Sequence, residues 1–157
     1  MFRTTLAALA LVVAGPSVWA QTAPASVLSG AEVLAQLQAA ARTSPEMMVA
    51  RMTNTDSYRV NVVKRTAPQG AIAHAVGTEV HYIIAGTATL VTGGTIVRAA
   101  RAAGATGQTP AAAATIRDGQ TRTVQAGDIV LVPVNTPHWY RHIDQPLTYL
   151  EVRFDVK

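Results

Sequence analysis

The chain has no cysteine. Disulfides, thiolate metal ligands and cysteine nucleophiles are therefore excluded, and the fold must be held by its core. Aromatic residues make up 5% of the 157 residues and charged residues 14%, with no run of Lys or Arg. The formal charge of +4 is spread thinly. It reads as scattered solubilising charge, and a nucleic-acid groove is not expected. No apolar stretch reaches the roughly 20 residues of a spanning helix.

What is present is apolar material, 49% of the residues, enough for one domain with a sizeable core. The first 20 residues read as a signal peptide. A positive Met1-Phe2-Arg3 start precedes the apolar run Leu6 to Gly15, and Val18 and Ala20 are the small residues that a signal peptidase requires. Cleavage is expected between Ala20 and Gln21, which implies a periplasmic or secreted protein with no membrane attachment afterwards. There is no twin-Arg pair, and without a cysteine a lipid anchor after the apolar run is excluded. An uncleaved anchor is the alternative.

Residues 21–50 read as an arm followed by a helix. Ser29 and Glu32 have capping-box spacing, Leu28 and Val33 can form a hydrophobic staple, and Val33, Leu34 and Leu37 give an apolar stripe. The helix is expected to end near Arg42, before Pro45. From Met47 the texture changes to short segments rich in Val, Ile, Thr and Tyr: "YRVNVV", "EVHYIIAG", "TATLVT", "DIVLVPV" and "LTYLEVRF" among them. Gly93-Gly94 and Asp118-Gly119 mark turns, and Ile129 to Val132 read as a strand buried on both faces. Residues 51–157 are thus predicted to form an all-β sandwich or barrel. The Ala/Gly-rich segment 99–115 is expected to be a mobile loop, a surface insertion or a lid.

Two segments carry the candidate chemistry. In "HAVGTEVHYIIAG", four residues separate His74 from Glu79, and six separate Glu79 from Gly86. Strand alternation puts Glu79, His81 and Ile83 on one face. In "GDIVLVPVNTPHWYRH", Gly127, Pro133 and His138 follow at matching intervals. Taken together and in order, these segments resemble the paired motifs of the cupin superfamily, and the closer likeness is to small exported bacterial single-domain cupins. The resemblance covers roughly residues 58–157. It implies a cupin-type double-stranded β-helix, or jelly-roll barrel, behind a short N-terminal helix. Two positions depart from the motif: Ile72 stands where its first histidine falls, and His142 where its asparagine falls. Asn135 replaces a motif glycine, a smaller change because Asn tolerates left-handed backbone.

The resemblance therefore implies a reduced metal set of His74, Glu79 and His138, taking one divalent ion from among Zn, Mn, Ni, Fe and Cu. His81 is left with several roles: a hydrogen-bonded core residue, a partner of the ligands, a proton-transfer group or a fourth ligand. A nearby tyrosine, Tyr140, is the other candidate for moving a proton. Tyr82, Trp139, Arg59, Arg141, Tyr149 and Arg153 are further candidates near the cavity. The expected function is a metal-dependent enzyme of oxygenase, isomerase or lyase type acting on a small oxygenated organic substrate. The alternative is a non-catalytic small-molecule or sugar-binding protein of the cell envelope. A homodimer formed through a sheet face is plausible in either case.

Overall fold

The computed structural model describes residues 24–98 and 114–155. The signal-peptide reading of residues 1–20, and residues 99–113 of the Ala/Gly-rich segment, lie outside the described residues. Ala114 and Thr115 are not loop: they open a strand.

The helix α1 (Gly30–Ala40) starts as its sequence predicts. Ser29 Oγ accepts from the Glu32 amide at 3.3 Å, and Glu32 Oε2 accepts from the Ser29 amide at 2.7 Å. The reciprocal bonds satisfy donors that a helix start leaves bare. Leu37 packs on Met48 and Ala50, with Val33 and Val62 alongside. Leu34 points to solvent instead of completing the stripe. Gln36 ties the helix to the sheet: its Oε1 accepts from the Arg51 amide at 2.9 Å.

Eight strands follow: β1 (Met47–Asn54), β2 (Tyr58–Arg65), β3 (Thr78–Thr92), β4 (Thr95–Arg98), β5 (Ala114–Arg117), β6 (Gln120–Gln125), β7 (Ile129–Val132) and β8 (His138–Phe154). The first begins at Met47, where the texture changes, and runs through the boundary drawn after residue 50. The main sheet has the order β1-β2-β8-β3-β6, with β7 also on β3, while β4 and β5 pair separately. The architecture is all-β and antiparallel, as a jelly roll requires.

Two long strands organise it. β3 and β8 pair along both of their halves, with register shifts between Ile83 and Leu90. The near half of β3 carries β7 on its free edge, and the far half carries β6. The shifts reverse the alternation. On β3 the buried set is Glu79, His81 and Ile83 before the break, then Ala88, Leu90 and Val91 after it. On β8 it is His138 and Tyr140, then Leu147 and Tyr149. An extra residue at a bulge moves every later side chain to the other face, and this keeps both halves facing one core of Val63, Ile83, Leu90, Val124, Tyr140, Leu147 and Tyr149.

The β7 strand is not buried on both faces. Val132 is buried, but Ile129 and Leu131 are 71% and 61% exposed. Helix α1 covers only the β1 and β2 side of the outer surface, so nothing among the described residues lies over this part.

Gly86 sits at the break with φ +88°, and a Cβ there would run into the Pro146 backbone. Gly86→Ala should therefore lose about 2–5 kcal/mol of stability, left-handed strain plus overpacking. Gly93 has φ +71° but open space around it. Gly93→Ala should lose only about 1–2 kcal/mol. Urea denaturation of the two variants checks the difference.

Candidate metal centre

Three separate pieces of chain bring the motif residues together. Glu79 and His81 lie on the inner face of β3 and are 4% and 2% exposed. His138 opens β8 and exchanges backbone hydrogen bonds with Ile72, at 2.8 and 3.1 Å. His74 precedes β3, where its carbonyl accepts from the Asn135 amide at 2.8 Å. Asn135 has φ +61°, so it takes the left-handed conformation that its place in the motif requires.

Around Glu79 the contacts are close. His74 Nε2 lies 3.3 Å from Oε1, and His138 Nε2 lies 3.3 Å from Oε2. One ligand atom from each of His74, Glu79 and His138 falls within 4.8 Å of the others. His81 Nε2 is also 3.3 Å from Oε2, and Arg153 Nε is 2.9 Å from Oε1. Neither contact is aligned as a hydrogen bond, which leaves His81 Nε2 and Arg153 Nε and Nη2 buried without a hydrogen-bond partner among the described residues. Gly77 makes the approach of Arg153 possible, because a Cβ there would press on Arg153 Cγ at 2.8 Å.

The electrostatics suit a cation. Burial works against charge on Glu79, but the imidazoles of His138, His81 and His74 packed around it outweigh burial and hold the carboxyl far below its usual range. Burial holds His74 below the usual histidine range against the pull of Glu79, with Arg153 and His138 adding to the lowering. Its neutral imidazole is thus free to ligate. His138 Nδ1 lies 3.0 Å from the Thr136 carbonyl, which can only accept, so Nδ1 carries the hydrogen. In the neutral ring Nε2 is then a bare lone pair facing a carboxylate oxygen. Two acceptors at that distance call for a cation between them, or for a proton on the imidazole. Two imidazoles and one carboxylate, with no sulfur, fit a first-row divalent ion with open positions.

His81 stands beside this trio and outside it. Its Nδ1 is 2.9 Å from the Tyr140 hydroxyl. Burial, with Tyr149 nearby, raises the Tyr140 phenol well above its usual range against the opposing effect of Arg65, so Tyr140 stays protonated. Donation from that hydroxyl to Nδ1 leaves the His81 hydrogen on Nε2, 3.3 Å from Glu79 and not aligned with it. The two groups form a short proton path that stops beside the carboxylate.

A cavity of about 370 Å³ opens beside the trio, bordered by His74 and His138 and by apolar walls that include Val49, Ile72 and Trp139. No family model matches the chain and no curated protein matches it in sequence. Solved structures do match in three dimensions. The DMSP lyase DddQ of Ruegeria pomeroyi is 20% identical at a TM-score of 0.50, over 73% of this chain and 49% of that one. The Cnp3 cupin domain of Schizosaccharomyces pombe is 10% identical at 0.50, over 70% and 61%. The fold is that of the cupins. HppE, in its cobalt(II) form with substrate, is 12% identical at 0.51, over 70% and 53%. The chain thus spans about half the length of the DddQ and HppE chains.

The departures from the cupin motif take concrete form. Ile72 faces His138 as an apolar wall of the cavity. His142 lies on the surface beside Asp144 at 3.4 Å, because the reversal in β8 comes before the inner face is regained. Among the further candidates, Arg59, Arg153 and Trp139 border the cavity, and the Trp139 indole donates to the Gln69 carbonyl at 2.6 Å. Tyr82 and Arg141 point outward and do not line it. Tyr149 is fully buried and accepts from Arg65 Nε at 3.0 Å. Sequence reasoning missed Arg65, Asn61 and Glu151. The signal was present for the first two: in "YRVNVVKR" a period of two puts Arg59, Asn61, Val63 and Arg65 on one face.

His138→Ala should cut affinity for added Zn or Mn by more than the roughly 10–100-fold that follows loss of a mere supporting group. The far-ultraviolet circular dichroism should stay that of the β-fold. Elemental analysis of both proteins checks this, and undiminished metal in the variant would remove His138 from the ligand set.

Proposed function

We propose that this protein is an exported, metal-dependent cupin enzyme of oxygenase, isomerase or lyase type, acting on a small oxygenated organic molecule. The observation that carries the proposal is the pairing of His81 with Tyr140 at 2.9 Å, against the carboxylate of the candidate metal trio. A pocket built only to bind has no need of a buried proton path. Here the path costs two desolvated polar groups in the core. The name of DddQ, a lyase, and the cobalt and substrate of HppE are in keeping with metal-centred chemistry on this fold.

A divalent ion on His74, Glu79 and His138 would supply Lewis acidity to a bound oxygen atom. The chain's own residues would do the rest. Ile72, Val49 and Trp139 exclude water from one side of the pocket. The hydroxyl of Tyr140, kept protonated by burial, borders the cavity as the candidate proton donor, and His81 Nδ1 orients it as a hydrogen-bond acceptor. Export rests on the signal-like residues 1–20 and sets where the enzyme would work.

Tyr140→Phe keeps the ring and removes the proton. In a turnover screen of small hydroxy and keto acids with added Mn, Fe, Ni or Zn, it should lower kcat by about 10²–10⁴-fold, the usual worth of a positioned acid–base group, with unchanged metal content. Ligand-induced stabilisation of the wild type with no turnover in any metal form would favour a binding protein instead.

The proposal extends to a homodimer. Tyr82 and Ile84 are 44% and 47% exposed, and with Ile129 and Leu131 they form one apolar patch across β3 and β7. Contiguous apolar surface of this kind marks an interface, and a second copy offers a matching patch about a two-fold axis. Light scattering should give twice the monomer mass for the wild type and the monomer mass for Leu131→Glu.

A further inference from the structure

The cavity is lopsided in charge. Arg51, Arg59, Arg65 and Arg153 border it against a single carboxylate, Glu151. Arg153 is engaged with Glu79, and Glu151 accepts from Asn61 Nδ2 at 3.2 Å. Arg59 sits directly across the strand pair from Arg153, a like-charge juxtaposition that is unfavourable when unscreened. Asn61 is 8% exposed, and its Oδ1 has no hydrogen-bond partner.

Arg65 differs from Arg153 in its lack of an acidic partner, and from Arg51 and Arg59 in how it is held. Among the described residues it has no acidic partner within ion-pair distance. It is nevertheless held firmly. Its Nε donates to the Tyr149 hydroxyl at 3.0 Å, and its guanidinium carbon lies 5.5 Å from the Tyr140 ring centre and 5.9 Å from that of Tyr149. Cation–π contact on two rings and one fixed hydrogen bond orient the plane, and no described residue engages the two terminal nitrogens. A guanidinium pinned at one edge and bare at the other matches a carboxylate, which takes two parallel N–H donors. The same Tyr140 that lies under Arg65 holds His81 through its hydroxyl. A molecule anchored at Arg65 therefore lies across Tyr140, towards the metal trio.

We infer that the pocket takes an organic carboxylate, with the carboxylate group gripped by the terminal nitrogens of Arg65 and the apolar body of the molecule against Val49, Val63 and Trp139. The inference rests on the reading of this cavity as the substrate site and narrows it to organic acids. Arg59 and Arg51 add positive potential, which draws an anion in and relieves the crowding of like charge. Neutral sugars leave Arg65 without a counter-charge and are disfavoured.

Calorimetry of the full mature chain with four probes tests it: malate and benzoate, and their neutral amides malamide and benzamide. The acids should bind about tenfold or more tightly than the amides, the worth of a hydrogen-bonded charge pair. Arg65→Gln should remove that preference, while Arg65→Lys keeps part of it, and circular dichroism should show both folded. The preference should survive in His138→Ala, so a failure of the metal assignment and a failure of the anion site read out separately. Equal affinity for acids and amides, an acid preference that persists in Arg65→Gln, or no binding of any probe overturns the inference.

Discussion

The structure is built around one buried carboxylate. Removing an ionised carboxyl from water costs several kcal/mol unless partners replace the lost hydration. Glu79 is 4% exposed and meets three imidazole nitrogens and one guanidinium. Each partner comes from a different place in the chain: the segment before β3, the near half of β3, and the start and end of β8. The carboxylate can be tolerated only if the sheet curls enough to bring those places together. Site and fold thus impose the same geometric demand.

The break in the two long strands meets that demand. Without register shifts, β3 and β8 would keep one alternation along 15 and 17 residues, and half of each apolar set would face solvent. Gly86, with φ +88° and the Pro146 backbone against it, lets the parity change where a side chain would not fit. The near halves then deliver Glu79, His81 and Arg153, and the far half of β8 delivers His138 and Tyr140. Tyr140 serves twice, with its hydroxyl on His81 and its ring beneath Arg65. That double use joins the metal end of the cavity to its cationic end.

Much of this was legible in the residue order. Turn residues and β-branched runs declared an all-β domain, Ser29 and Glu32 declared the helix start, and the intervals around His74, Glu79, Gly86, Gly127, Pro133 and His138 carried the cupin resemblance. Strand alternation placed Glu79 and His81 inside. The same rule failed where the strand was not continuous. His142 shares the parity of His138 yet stands in solvent, because β8 reverses between them and the inner face. It also failed where burial depended on a neighbour: Ile129 and Leu131 look like core and are exposed, because the helix covers β1 and β2 and stops there.

The sequence by itself determined the local matters: which segments are extended, where the chain turns, and which side chains could ligate a cation. Those follow from backbone preferences and spacing, which act over a few residues. Only the tertiary structure decided what meets what. Arg153 beside Glu79, Arg65 on two tyrosine rings and His81 against Tyr140 pair residues 59–84 positions apart. Their contact depends on the curl of the sheet and on the register shifts between β3 and β8, and no local preference encodes it.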